Sequence, residues 1–372
     1  MIDPTNNSGL LAVLISVVAL GIWMESRPKL AQFGVIVIIL GCALLSGIGL
    51  LPRGADLYGV IVAYCVPLAI PLLLLNANLL KIWRESGRVF FAFLLAVAGV
   101  LGGAFLAAPL TTFGPDDGVW TGILTAGYIG GSANTAAVAA AMGKADEPFM
   151  ALAVASAYAV AVPFMALLLA MPGIAWMWRL FSPRTDYIPP ADGEESHSDT
   201  PQISGFSLVA GLALSAVIFW ISDWVADLTQ SGPMRYIALS VLSVALATLF
   251  PGRMQRLHGH YELGRILIYI FFAVIGVQIN FALAIESGGQ VMLYTVIVIA
   301  THLLVMAVGG RLFGFTGPEL AIASNACVLG APTAAAMAAS KGWYTLVTPG
   351  LLVGVLGYAT ANLVGIALTT IL

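Results

Sequence analysis

Acidic and basic side chains are scarce in this chain. They make up 9% of its 372 residues, where soluble domains carry about 25%. An ordinary water-soluble fold is therefore excluded. The lysines and arginines form no dense patch, so nucleic acid is not an expected partner. Cysteine is limited to Cys42, Cys65 and Cys327, all inside apolar runs. No pair has metal-ligand spacing, which excludes a zinc site and a disulfide framework and leaves buried, small apolar residues. His258 and His260 stand in a basic loop and read as solvated rather than metal-binding. There is no G-x-S-x-G, no H-E-x-x-H, no P-loop and no pair of carboxylates within an apolar run, so no enzyme is expected. Met1 to Ser8 holds Asp3 but no Lys or Arg, unlike the basic start of a cleaved signal, so the first apolar run reads as a retained helix.

Hydrophobic residues fill the space. They make up 60% of the chain, and the mean hydropathy is +0.98. A spanning helix needs about 20 apolar residues. Six candidate segments lie at 9–24, 30–51, 57–80, 88–112, 119–143 and 149–172. Six more lie at 206–226, 235–250, 263–284, 290–312, 317–341 and 347–371. Between them, SPRTDYIPPADGEESHSDTPQIS is polar, acidic and proline-rich. The expected organisation is a membrane unit at 1–181, a cytoplasmic linker at 182–205 and a second membrane unit at 206–372. The expected location is the cell (inner) membrane, multi-pass.

The two units share a register. Asn134–Ala141 reads NTAAVAAA and Pro332–Ala339 reads PTAAAMAA, an offset of 198. Asn76 stands opposite Asn280, and Tyr158 opposite Tyr358, at offsets of 204 and 200. Positive charge gathers in cytoplasmic loops. If 119–143 and 317–341 each enter and leave on one side, twelve basic residues share a side: Arg27, Lys29, Lys81, Arg84, Arg88, Arg179, Arg184, Arg253, Arg256, Arg265, Arg311 and Lys341. Arg53, Lys144 and Arg235 are then left on the other. Full crossings would divide the fifteen almost evenly. The expected fold is all-α: two inverted repeats of about five crossings, each with one broken or re-entrant segment, arranged as scaffold and core transport domains.

The broken segments carry the polar residues. The first, GYIGGSANTAAVAAAMGK from Gly127, offers Gly130, Gly131, Ser132, Asn134 and Thr135. The second, LAIASNACVLGAPTAAAMAASKG from Leu320, offers Ser324, Asn325, Gly330, Pro332 and Thr333. Broken backbone inside a membrane is tolerated where it faces protein or lines a cavity. In secondary transporters such breaks form the substrate and ion site; packing of small residues is the competing reading. Freed carbonyls with Ser, Thr and Asn oxygens suit a cation such as sodium. Helix starts near Thr135 and Thr333 suit an anionic group. Asn76, Gln278 and Asn280 read as ion ligands or hairpin supports, and Asn78 as a bond between helices. His302 is either a proton site or a donor to a backbone carbonyl. Glu319 either caps a helix start or guards an entrance. No carboxylate lies in the first broken segment, which favours sodium over protons.

The run Tyr-Ile-Gly-Gly-Ser-x-Asn at 128–134 and the run FFAVIGVQIN from Phe271 resemble the YjcL-like family of polytopic membrane proteins. The resemblance covers essentially the whole chain. More distantly, two inverted halves with a broken segment in each resemble the sodium symporters for glutamate, citrate and bile acids. That resemblance implies an elevator-type or rocking carrier. The glutamate and citrate carriers have a Gly-Gly-x-Gly hairpin, whereas Gly130-Gly131-Ser132-Ala133 lacks its last glycine.

The expected function is a secondary active transporter, sodium-coupled, carrying a small organic anion. A proton-coupled carrier using His302 or Glu319 is the alternative, as is a membrane receptor or assembly subunit that transports nothing. The expected partners are the lipid bilayer, an anionic small molecule and a second copy of the chain. No cofactor is expected beyond a sodium ion.

Overall fold

The computed structural model describes residues 2–27, 30, 34–181, 204–278 and 281–372. Among these, regular structure is helical and no strand occurs. The first unit comprises α1 (Asn7–Glu25), α2 (Gly34–Gly47), α3 (Asp56–Leu74), α4 (Leu79–Glu85), α5 (Gly87–Ala107), α6 (Asp117–Gly130), α7 (Ser132–Ala141), α8 (Pro148–Ala170) and α9 (Ala175–Phe181). The second comprises α10 (Gly205–Thr229), α11 (Gly232–Leu249), α12 (Pro251–Met254), α13 (His260–Val277), α14 (Phe281–Phe313), α15 (Gly317–Val328), α16 (Ala331–Ser340) and α17 (Val347–Ile371). The linker expected at 182–205 lies outside the described residues, except for Ser204 and Gly205.

Among the described residues, eight helices are long and apolar enough to cross a membrane. Their outward faces keep large apolar side chains exposed, such as Phe206, Trp220 and Leu228 on α10. Water would not tolerate so much contiguous apolar surface, whereas a bilayer solvates it. The chain is a multi-pass membrane protein. Helix starts follow the local chemistry. The Asn6 side chain caps α1, and Ser204 caps α10. Pro148 opens α8, where a missing N–H costs nothing.

Two groups of helices emerge from the packing. In one, α3 lies against α13, α2 against α13, α1 against α2, and α10 against α11 and α3. In the other, α5 lies against α14 and α15, and α17 against α6 and α16. Thus α3 and α13 pack chiefly on each other and on α2 rather than on the hairpins. Glycine explains this close approach: a Cβ placed on Gly276 would sit 2.3 Å from the Ile39 carbonyl oxygen of α2.

The broken segments are hairpins. A Cβ placed on Gly127 would lie 2.2 Å from Thr135 Oγ1, although eight residues of straight helix span about 12 Å. The base of this hairpin closes where Lys144, after α7, meets Asp116, before α6, at 2.6 Å. In the second hairpin Asn325 on α15 reaches both Thr333 and Met337 on α16, at 2.7 and 3.2 Å. Its base meets Arg88, at the start of α5, through Glu319 at 3.0 Å. The base of the first hairpin follows the other end of α5. The two hairpins thus enter the bundle from opposite ends.

Candidate functional site

Each hairpin turns at a glycine with a left-handed backbone. Gly131 has φ +81° and Gly330 φ +97°. Only glycine takes this conformation without strain. Both turns come to one side chain, Tyr358, near the middle of α17. A Cβ placed on Gly131 would lie 3.7 Å from Tyr358 Cε1, and one on Gly330 would lie 3.2 Å from the same atom. The Tyr358 hydroxyl accepts the Ala331 N–H at 3.2 Å. It lies near enough to the hydroxyl of Tyr261 on α13 for the two to interact. The Tyr358 carbonyl accepts from Asn134 Nδ2 at 2.8 Å. One tyrosine therefore touches both hairpins and the other helix group.

On the first hairpin, Asn134 spends both amide hydrogens on α17. The second goes to Asn362 Oδ1 at 2.7 Å. Asn362 in turn donates to Ser240 Oγ on α11 at 2.9 Å. All three side chains are buried. Buried amides are expensive unless paired, so this chain of bonds fixes α7 against α17 and α11. Gly130 is buried, and its lack of a side chain leaves room for Asn134 Oδ1, which a Cβ there would meet at 2.4 Å. Thr135 is buried beside Gly127, and Ser132 is half-buried at the start of α7.

On the second hairpin, the turn diverts the donors that would close a regular helix. The Gly330 N–H goes to the Asn325 carbonyl at 3.2 Å, and the Ala331 N–H goes to Tyr358. Pro332 has none. The carbonyls of Ala326, Cys327 and Val328 thereby lose their usual helical donors. Pro332 is exposed and Thr333 half-buried, so this tip has a face toward the surface. Asn325 is wholly buried. Ser324, also buried, faces His302 Nε2 at 2.6 Å, while His302 Nδ1 faces the Ala96 carbonyl at 3.0 Å. A carbonyl only accepts, so Nδ1 carries the hydrogen and Nε2 of the neutral ring accepts from Ser324. His302 thus takes the carbonyl-bonded role and at the same time ties α14 to the second hairpin. Glu319 completes a capping box with Thr316 and pairs with Arg88. It lies at the hairpin's base, away from the tip.

Two expected site residues lie outside the hairpins. Asn76 is exposed beyond the end of α3. Gln278 donates to the Arg53 carbonyl at 3.0 Å, at the far end of α13. Each follows a helix of the other group. Asn280 lies outside the described residues. Asn78 does not bridge helices: it caps α4 by accepting the Lys81 N–H at 3.1 Å. His260 is buried rather than solvated, with Nδ1 at 2.6 Å from the Leu72 carbonyl. Among the described residues no group of three His, Cys, Asp or Glu suits a metal. Any cation held here needs neutral oxygens. Two apolar clefts, of about 460 and 560 Å³, are lined by no residue of either hairpin. The first is lined by Trp83 and Phe90, the second by Trp176 and Leu303.

Sequence reasoning missed Tyr358 and Asn362 as site residues. Their signals were present. Tyr358 matches Tyr158 in the shared register, and Asn362 follows one helical turn later in an otherwise apolar segment.

The sequence profile of a family described as a protein of unknown function, DUF819, matches residues 12–372. The chain is also 36% identical over 365 residues to a Bacillus subtilis (strain 168) protein named "Uncharacterized membrane protein YjcL", covering 93% of this chain and 92% of that one. The chain belongs to the DUF819 family.

Proposed function

We propose that the chain is a secondary active transporter: a sodium-coupled symporter of a small organic anion that works by alternating access. The observation that carries this reading is the convergence of two glycine-turned hairpins, from opposite ends of the bundle, on the single side chain of Tyr358. Broken segments that meet deep in a bundle are how transporter folds expose backbone polar groups to a substrate. In this reading the units are inverted repeats of five crossings, with α2 and α8 completing the set and each hairpin re-entrant. The helices α1 to α3 and α10 to α13 form the scaffold and the contact with a second copy. The hairpins and the helices around them move.

The choice of sodium rests on the donor set. The tips offer amide, hydroxyl and carbonyl oxygens and no carboxylate. The choice of an anion rests on the starts of α7 and α16, whose positive dipole ends lie at the two turns. A second reading has its own observation: His302 is buried and linked through Ser324 to the second hairpin. That pathway would couple transport to protons. A receptor or assembly subunit would need no ion.

Unfolding of purified protein in sodium chloride against choline chloride, at matched ionic strength, separates the three. A ligand at 100 times its Kd that binds only the folded state adds about 2.7 kcal/mol. The proposal expects a saturable, sodium-specific rise in Tm, and sodium-driven uptake of organic anions into liposomes. A rise that tracks pH and vanishes in His302→Gln replaces sodium with protons. No ion dependence and no uptake would leave the receptor reading.

A further inference from the structure

We infer that the second hairpin alone contains a monovalent-cation seat, formed by Thr333 Oγ1, Asn325 Oδ1 and the Gly330 carbonyl. This deepens the transport reading and rests on it for its purpose, although not for its geometry. The argument is a count of hydrogens. The Thr333 hydroxyl lies 2.7 Å from Asn325 Oδ1 and 2.8 Å from the Gly330 carbonyl oxygen. Both of those atoms can only accept, and a hydroxyl has one hydrogen to give. It can give that hydrogen to one or share it in a three-centre bond; either way three oxygens hold one hydrogen where two full bonds need two. Turning the Asn325 amide around would supply the second hydrogen but would misplace its oxygen. Its nitrogen faces the sulfurs of Met165 and Met337, each at 3.2 Å, and these weak acceptors offer nothing to an oxygen. The side chain is wholly buried, so water does not remove the mismatch cheaply.

A cation facing the three oxygens resolves the shortage. The neutral donor set fits a single charge: calcium takes carboxylates, and magnesium binds through carboxylates and phosphates. The turn adds acceptors nearby, because Cys327 and Val328 lose their helical donors to Tyr358 and to Pro332. Pro332 is exposed and Thr333 half-buried, which gives an ion a way in.

The first hairpin lacks the same set. At the shared offset of 198, Thr135 corresponds to Thr333 and Gly127 to Asn325. Where Thr333 meets an amide oxygen, Thr135 packs against a residue with no side chain. The structure therefore assigns one seat, not two.

The test is equilibrium binding of radioactive sodium to detergent-purified protein, with choline replacing unlabelled sodium. The variants are Thr333→Val, Thr333→Ser, Asn325→Leu and, as a hydroxyl deletion on α14 away from the seat, Thr295→Val. The inference expects saturable binding by the parent chain. It expects weakening of roughly tenfold or more in Thr333→Val and Asn325→Leu, near-parental binding in Thr333→Ser, and no change in Thr295→Val. Thr333→Ser keeps the test decisive even where Asn325→Leu fails to fold. Undiminished binding by a well-folded Thr333→Val overturns the seat while leaving sodium-coupled transport standing. Absent sodium binding with uptake driven by a pH gradient overturns the seat and moves the transport reading to protons. Absent binding and absent uptake overturn both.

Discussion

The two hairpins turn at glycines of the same hand and face the same tyrosine, but they are anchored by opposite means. The first is fastened by a side chain: Asn134 bonds the Tyr358 carbonyl and Asn362, and through them α11. Its oxygens are left with little to do beyond bracing. The tip of the second meets Tyr358 by backbone, the Ala331 N–H on its hydroxyl, while Asn325 and Thr333 are turned inward on each other. A side chain spent on an anchor is unavailable to a ligand. The comparison therefore makes the first hairpin the brace and the second the place of the proposed ion seat, with Tyr358 as the joint between them.

Substituting the turns tests this most severely. Gly330→Ala adds a Cβ 2.6 Å from the Tyr358 hydroxyl in a left-handed backbone. Strain and crowding together cost roughly 3 kcal/mol. Gly131→Ala has the strain, but its Cβ finds ordinary contact at 3.7 Å, so about 1–2 kcal/mol is expected. Denaturant unfolding that gives equal losses would break the asymmetry at its centre. Next comes the pair of polar residues. Asn134→Ala leaves Asn362 Oδ1 unpaired and takes the second donor from the Tyr358 carbonyl, which keeps its helical bond, at about 1–3 kcal/mol in all. Thr333→Val changes the unfolding free energy by no more than about 1.5 kcal/mol but removes the sodium-dependent rise in Tm. If Asn134→Ala proved stable and insensitive to sodium, the roles of the hairpins would be exchanged.

Tyr358→Phe should sharpen the comparison locally. It removes the acceptor for Ala331 and keeps the carbonyl for Asn134, a loss of roughly 1 kcal/mol. Hydrogen exchange should quicken at 329–333 and stay unchanged at 131–135; equal quickening would mean that the ring, not the hydroxyl, holds both tips. The smallest effect lies at the bases. Lys144 bonds Asp116 and then Glu147, which raises its pKa above the ordinary 10.5. A raised amine contributes fully below its unfolded value and loses that contribution as pH climbs through the folded one. The first base should thus hold through neutral pH and loosen only in strong alkali. Lys144→Met should cost at most about 1 kcal/mol. A larger shift in Tm, or loosening near neutrality, would make this cluster a gate rather than a fastener.

Much of this was legible in residue order. The segments read at 149–172 and 347–371 reappear as α8 and α17 almost to the residue, because an apolar run long enough to cross a bilayer has few alternatives to helix. The breaks at Gly131 and Gly330 were marked by glycine, and in the second case by the proline two residues on. The partners across the bundle were not legible. Asn76 read as an ion ligand or hairpin support, yet it is exposed at a helix end. His260 looked like a loop residue, yet it is buried against Leu72. Side-chain type does not say which neighbour a rotating helix will meet.

What the sequence determined by itself is the membrane, the placing of the long apolar helices, the two breaks, and the kind of oxygen available at each. These follow from composition and local backbone preference, which need no distant contact. What only the tertiary structure decided is that each broken segment doubles back, that α3 and α13 leave the hairpins for each other, and that Tyr358 meets both turns. Those outcomes depend on where a helix lacks a Cβ and another backbone can approach, as at Gly276 against α2 and Gly330 against α17. That is a property of two surfaces brought together, and neither strand of sequence contains it alone.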